Sequence, residues 1–127
     1  MATMINTDKA PAAIGPYVQG MDLGNLVFTS GQIPLDPKTG EMPEDITEQT
    51  KQVLSNIKAI LAAAGLSPKS IIKTTVFLVD LNDFNTVNTI YEQFFNDDDA
   101  PFPARSCIQV AALPRNAKIE IEVIAAR

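Results

Sequence analysis

Apolar positions along this chain switch between a period of about two and a period of about 3.6 residues, and each switch predicts an element. From Gln19 to Phe28, short apolar runs flank Gly24-Asn25, which predicts two short strands around a tight turn where Gly24 takes a positive φ. Val27-Phe28-Thr29-Ser30-Gly31 then meets Gln32-Ile33-Pro34-Leu35-Asp36-Pro37, whose prolines exclude helix and central strand, so the strand ends near Gly31. From Asp45 the pattern becomes helical. Ile46, Val53, Leu54, Ile57, Ile60, Leu61 and Ala64 recur at helical spacing, Asp45 stands as cap with Glu48 in capping-box position, and Gly65 closes the run. Ser70 to Val79 is dense in β-branched residues and predicts a largely buried strand. A second helix is predicted from Asn82 or Asp83, with Phe84, Val87, Ile90, Tyr91 and Phe94 on one face, stopping before Asp97-Asp98-Asp99 and Pro101. Two strands follow, Ala104 to Val110 and Lys118 to Ala125, linked through Leu113-Pro114-Arg115-Asn116.

The predicted order is β-β-α-β-α-β-β, an α+β arrangement with both helices on one face of a mixed sheet. The last strand alternates, with Ile119, Ile121 and Val123 on one side and Lys118, Glu120 and Glu122 on the other. In the strand before it, Arg105, Cys107 and Gln109 share a face opposite Ser106, Ile108 and Val110. The expectation is therefore a second sheet face that mixes Arg, Cys, Gln and Glu. A subunit interface enclosing a polar pocket accounts for such a face.

Composition narrows the class. A chain of 127 residues, 46% apolar and 20% charged, is the size and make-up of one globular domain, so residues 1–127 are expected to form a single unit. A net charge of -5, with scattered basic residues, argues against a nucleic-acid surface, and the Asp97-Asp98-Asp99 run reads as a solvated loop rather than a calcium site. The single cysteine excludes an intramolecular disulfide and fits a reducing compartment. Met1 to Asn6 lacks the basic and apolar regions of a secretory signal, and no apolar stretch approaches the roughly 20 residues that span a bilayer. No membrane association is expected, and the cytoplasm is the expected location.

Without any histidine, the chain cannot build a Ser-His-Asp or Cys-His arrangement, and a zinc site of Cys and His cannot form. No Walker loop or dinucleotide fingerprint is present. Arg105 is one of three arginines, beside Arg115 in a turn and Arg127 at the terminus, and it sits on a strand, where a guanidinium is unusual. It can anchor an anionic ligand through two parallel hydrogen bonds, pair with Glu120 or Glu122 across strands, or do both, since the two roles are not exclusive. Cys107 reads as a small packed residue, since no base is at hand to form the thiolate. Glu120, between isoleucines, is a candidate for proton transfer if partly buried. Tyr17 and Asn88 offer further hydrogen bonds, Asn88 being placed away from the aromatic stripe of its helix.

Several separated blocks resemble the RidA (YjgF) family of reactive enamine and imine deaminases. They are Ala13-Ile14-Gly15-Pro16-Tyr17-Val18-Gln19-Gly20, Val27-Phe28-Thr29-Ser30-Gly31-Gln32-Ile33-Pro34, Thr74-Thr75-Val76-Phe77-Leu78 with Asp80 and Asp83-Phe84, and, most specifically, Pro103-Ala104-Arg105-Ser106-Cys107 with Leu113-Pro114 and Ile119-Glu120-Ile121-Glu122-Val123. The resemblance implies a chorismate-mutase-like fold and a homotrimer whose sheets form a central barrel with clefts between subunits. It also implies hydrolysis of 2-iminobutanoate and 2-iminopropanoate to 2-oxo acids and ammonia, without metal or cofactor. By the same resemblance Arg105 holds the substrate carboxylate and Glu120 orients water and passes protons. The backbone around Gly31 and Cys107 binds the imine nitrogen, and Tyr17, Ser30 and Asn88 line or close the cleft. Rival expectations are a non-catalytic 2-oxo acid sensor using the same Arg105 pocket and an RNA-cleaving translation inhibitor, which the acidic charge disfavours.

Overall fold

The structure is a computed structural model that describes residues 2–127. Its strands are β1 (Thr3–Ile5), β2 (Gly20–Asp22), β3 (Leu26–Thr29), β4 (Ile71–Leu78), β5 (Ala104–Gln109) and β6 (Ile119–Ala126), and its helices are α1 (Ile46–Ala63) and α2 (Phe84–Asp97). The strands form one sheet in the order β1-β2-β3-β6-β4-β5. Every pairing is antiparallel except β4 with β5, which run parallel because α2 carries the chain back across the sheet between them. The predicted order is thus extended by β1, a short strand paired to β2 that residues 3–5 do not announce by any alternation of their own.

Each helix forms for local reasons. Asp45 accepts a hydrogen bond from the Glu48 amide at 2.7 Å and caps α1, while Gly65 leaves the helix at φ +76°. The last turn of α1 contains no basic residue. Arg127 supplies the missing cation from the far end of the chain, donating to the Ala64 carbonyl at 2.6 Å and to Asp22 at 2.9 Å, which ties the helix to the β2–β3 turn. In α2 the buried stripe is Val87, Tyr91 and Phe95. Phe95, fully enclosed, takes the sheet-facing place expected for Phe94, which is only partly covered.

Both helices and the inward row of strand residues share one core, including Val27, Val53, Ile57, Val76, Ile121 and Phe95. The register around β4 decides which side chains join it. Thr74 pairs with Arg105 and Val123, Val76 with Cys107 and Ile121, and Leu78 with Gln109 and Ile119. These residues face the helices. Phe77 pairs with Ile108 and Glu120, and Thr75 with Ser106 and Glu122, all on the opposite face. The expectation that Arg105, Cys107 and Gln109 share the outer face with the glutamates is therefore corrected. β4 lies between β5 and β6, and paired residues on neighbouring strands point to the same side.

The chain entering β2 is locked by Gln19, which is 2% exposed. Its amide nitrogen donates to the carbonyls of Thr7 at 2.9 Å and Pro11 at 2.8 Å, and its amide oxygen accepts from the Thr7 amide at 2.7 Å. Gln19→Ala leaves these backbone groups without partners and should lower unfolding free energy by about 2–4 kcal/mol, read by urea denaturation. A loss below roughly 0.5 kcal/mol would show that water replaces the side chain freely.

Candidate active site

Arg105 lies on the edge strand β5, and its side chain emerges on the helix side beside α2. Its Nη1 donates to Oδ1 of Asn88 at 2.7 Å, and its guanidinium carbon stands 4.8 Å from the Tyr91 ring centroid and 5.4 Å from that of Phe84. Phe84, Asn88 and Tyr91 fall on one stripe of α2 by their spacing of four and three residues. Asn88 is thus within the aromatic stripe, a correction to its expected place. Among the described residues the ion pairs are Lys51 with Glu48, Lys58 with Asp98 and Arg127 with Asp22, so Arg105 has none. The cross-strand alternative for Arg105 falls with the register, since Glu120 and Glu122 lie beyond β4 and on the other face.

A cleft of about 510 Å³ opens beside the guanidinium, lined by Asn88, Tyr91, Glu92, Phe102, Pro103 and Arg105. Cys107 stands next on the same face of β5, half-buried against the core. Burial pushes its thiol pKa up, and the nearby Arg105 charge offsets this only in part, so the sulfur is protonated at neutral pH and is no activated nucleophile.

Tyr17, Ser30, Gly31 and Glu120 make a second group. Ser30 donates its hydroxyl to the Val18 carbonyl at 2.6 Å and its amide to the Gln19 carbonyl at 2.9 Å, holding the segment that carries Tyr17. The Gln32 amide bonds to the Ile121 carbonyl at 2.8 Å, so Gly31 is fixed on both sides. Its lack of a side chain matters here for space. A Cβ at Gly31 would overlap the Glu120 carboxylate. Burial raises the pKa of Glu120 above the usual carboxylate range, and the neighbouring Glu122 charge adds to the rise. Tyr17, Gly31, Ile33, Pro114 and Arg115 line a cavity of about 390 Å³.

The predicted residues therefore gather as two groups on one chain, Arg105 with Asn88 and Cys107, and Glu120 with Tyr17, Ser30 and Gly31. Sequence reasoning passed over Tyr91 and Phe84 as core, although their spacing with Asn88 marked the stripe that meets Arg105. It also set aside Arg115, whose backbone adopts φ +56° and which lines the second cavity.

An unpaired guanidinium at a cleft and a half-buried carboxylate with a raised pKa define a protein equipped to hold a small anion and to move protons by a carboxyl group. The family model described as Endoribonuclease L-PSP matches residues 7–127. The chain belongs to this family, the RidA (YjgF) family whose motifs it carries. It is 62% identical over 127 residues to the 2-iminobutanoate/2-iminopropanoate deaminase of Escherichia coli, covering 100% of this chain and 99% of that protein. Among solved structures it is similar to E. coli TdcF with bound serine, at a TM-score of 0.97 and 59% identity over 98% of each chain. The YjgF gene product of E. coli is similar at a TM-score of 0.97 and 62% identity, again over 98% of each chain.

The contact between Gly31 and Glu120 is open to test. Because the carboxylate is the far end of a flexible side chain, Gly31→Ala should swing it toward water rather than unfold the protein. The Glu120 titration midpoint, followed by carbon NMR of the carboxyl group, should then drop toward the ordinary glutamate value. An unchanged midpoint would show that Gly31 does not set the environment of Glu120.

Proposed function

We propose that this protein hydrolyses reactive 2-imino and enamine acids, 2-iminobutanoate and 2-iminopropanoate, to the 2-oxo acids and ammonia. The observation that carries the proposal is Arg105, a guanidinium free of any ion pair among the described residues and open to a cleft. Asn88 occupies Nη1, which leaves the Nε and Nη2 edge for a carboxylate fork. The bound serine of E. coli TdcF supports a ligand of this size and charge.

The chemistry asks for placement, a poised water and proton transfer, because an imine carbon is already electrophilic. Arg105 holds the carboxylate. The ionised Glu120 takes a proton from water as its oxygen attacks C2 and passes that proton to the imine nitrogen as the C=N π bond opens, which gives the carbinolamine. Glu120 then takes the carbinolamine hydroxyl proton and delivers it to the amine, so that the C–N bond breaks, the carbonyl forms and ammonia leaves. The raised pKa of Glu120 makes it a better base than a solvated glutamate, and a ready acid on the return. Backbone groups near Gly31 and Cys107 hold the nitrogen, while Tyr17, Ser30 and Asn88 border the cleft.

One chain cannot bring Arg105 and Glu120 to the same substrate, because they occupy opposite faces of the sheet. Two copies supply both. The outer face supports such an assembly, since Phe28 and Ile108 remain 38% and 47% exposed beside Phe77 and Ile124. We infer a homotrimer of the chorismate-mutase-like kind, each subunit one domain of residues 1–127, with the site completed between neighbours. A cytoplasmic location is part of this reading, with which the single unpaired cysteine agrees; no helix is long and apolar enough to cross a membrane among the described residues. The net charge of -5 disfavours a ribonuclease reading.

Generating 2-iminobutanoate in situ with a threonine dehydratase and following 2-oxobutanoate tests this directly. The protein should accelerate release of the 2-oxo acid. Arg105→Ala should lower kcat/KM by about a hundredfold or more, and Arg105→Lys by about tenfold, because lysine cannot form the fork. Tight 2-oxobutanoate binding with no acceleration would contradict hydrolysis and establish a sensor. Cys107→Ser should keep most activity; its loss would put the thiol in the mechanism. The pH profile should rise as pH climbs through the raised Glu120 pKa, where the base ionises, and Glu120→Gln should abolish turnover. Undiminished turnover in Glu120→Gln would remove this residue from the mechanism.

A further inference from the structure

Arg105 is held in a way that sequence motifs do not describe. An arginine on an exposed edge strand normally samples many rotamers, and a carboxylate partner is the common means of fixing it. Here the cation is fixed by neutral groups. Tyr91 is 5% exposed, and its hydroxyl lies 2.7 Å from Oγ1 of Thr74, itself 1% exposed on the central strand β4. Thr74 is the direct strand partner of Arg105. Tyr91 therefore spans the two, its hydroxyl on Thr74 and its ring 4.8 Å from the guanidinium carbon. Burying two hydroxyls is unfavourable unless they bond to each other, so the pair specifies the orientation of the ring and not merely its volume. Phe84 at 5.4 Å and Asn88 at 2.7 Å complete the cradle.

We propose that Tyr91, pinned through Thr74 and assisted by Phe84, is a positioning residue that preorganises the Arg105 guanidinium while leaving its charge uncompensated for the substrate carboxylate. An ion pair would restrain the side chain as well, but it would cancel the charge that the ligand must meet. A ring quadrupole attracts the cation without supplying a countercharge. Burial keeps the Tyr91 phenol protonated by raising its pKa, against smaller opposing effects of the Thr74 hydrogen bond and the Arg105 charge. Glu92 lines the same cleft yet forms no ion pair with Arg105. Because the guanidinium is already placed, less conformational freedom is lost when a carboxylate binds.

This inference rests on Arg105 as the carboxylate anchor, and the experiment separates the two. The affinity of 2-oxobutanoate is measured by calorimetry, with KM, kcat and melting temperature, for wild type, Tyr91→Leu, Tyr91→Phe, Thr74→Val and Arg105→Ala. Tyr91→Leu should raise Kd and KM about tenfold while kcat stays within about twofold, because uniform binding and not transition-state chemistry is lost. Tyr91→Phe, which keeps the ring, should recover most of that loss, and it and Thr74→Val should each raise Kd about threefold. Unchanged Kd and KM in Tyr91→Leu beside a lowered melting temperature would reduce Tyr91 to packing and overturn the proposal. If Tyr91→Leu does not fold, unchanged Kd in both Tyr91→Phe and Thr74→Val overturns it equally. Wild-type affinity in Arg105→Ala would instead remove the anchor itself, whereas lost affinity in Arg105→Ala with intact affinity in the Tyr91 and Thr74 variants would overturn the positioning role alone.

Discussion

The register of β5 and β6 on the central strand β4 is the constraint on which the site depends. Side chains alternate along a strand, and paired residues on adjacent strands share a face, so Thr74 carries Arg105 and Val123 to the helix side while Phe77 carries Ile108 and Glu120 to the other. A one-residue slip of either strand would exchange these faces and put core residues such as Ile121 into water. The burial of that row thus holds Arg105 and Glu120 where they are. It also divides them, because no rotamer brings a carboxylate through the sheet to the arginine.

Division between faces has a chemical use. Arg105, kept apart from Glu120 and Glu122, retains a full charge for a ligand. Glu120, which forms no ion pair within the chain among the described residues, has a raised pKa because burial and Glu122 both disfavour its ionised form. Had the two met within a chain as an ion pair, the arginine would have been neutralised and the carboxyl pKa lowered, and neither would suit imine hydrolysis. In a chain without histidine, this separation leaves a carboxyl group with the raised pKa that the proposed general-base role requires.

Much of the fold was legible because its signals are local. The cap at Asp45, the helical spacing that follows, the β-branched run through Thr74 to Val76 and the alternation of Ile119 to Val123 each depend on residues close in sequence, and each element lies within a residue or two of its expected span. The long-range relations were not legible. β1 exists because β2 pairs with it, not because Thr3 to Ile5 alternate. Alternation showed that Arg105, Cys107 and Gln109 share a face but not which one, since the strand between β5 and β6 comes from earlier in the chain. Asn88 looked peripheral because polar residues were assigned to the solvent side of α2, whereas β5 is an edge strand and leaves a half-open margin where Asn88 meets Arg105. Tyr91 hid among apolar neighbours, with nothing in its spacing to show that its hydroxyl seeks Thr74.

The central claim is that Arg105 and Glu120 act on one substrate from different copies of the chain. Mixing subunits of the two variants expected to lose activity, Arg105→Ala and Glu120→Gln, by denaturing and refolding them together measures this most directly. In a cyclic assembly formed at random from equal amounts, about one quarter of the sites would unite an intact arginine with an intact glutamate from the neighbour. The account predicts recovery of about that fraction of wild-type imine hydrolysis. Hybrid oligomers that form and remain as inactive as either parent would contradict it.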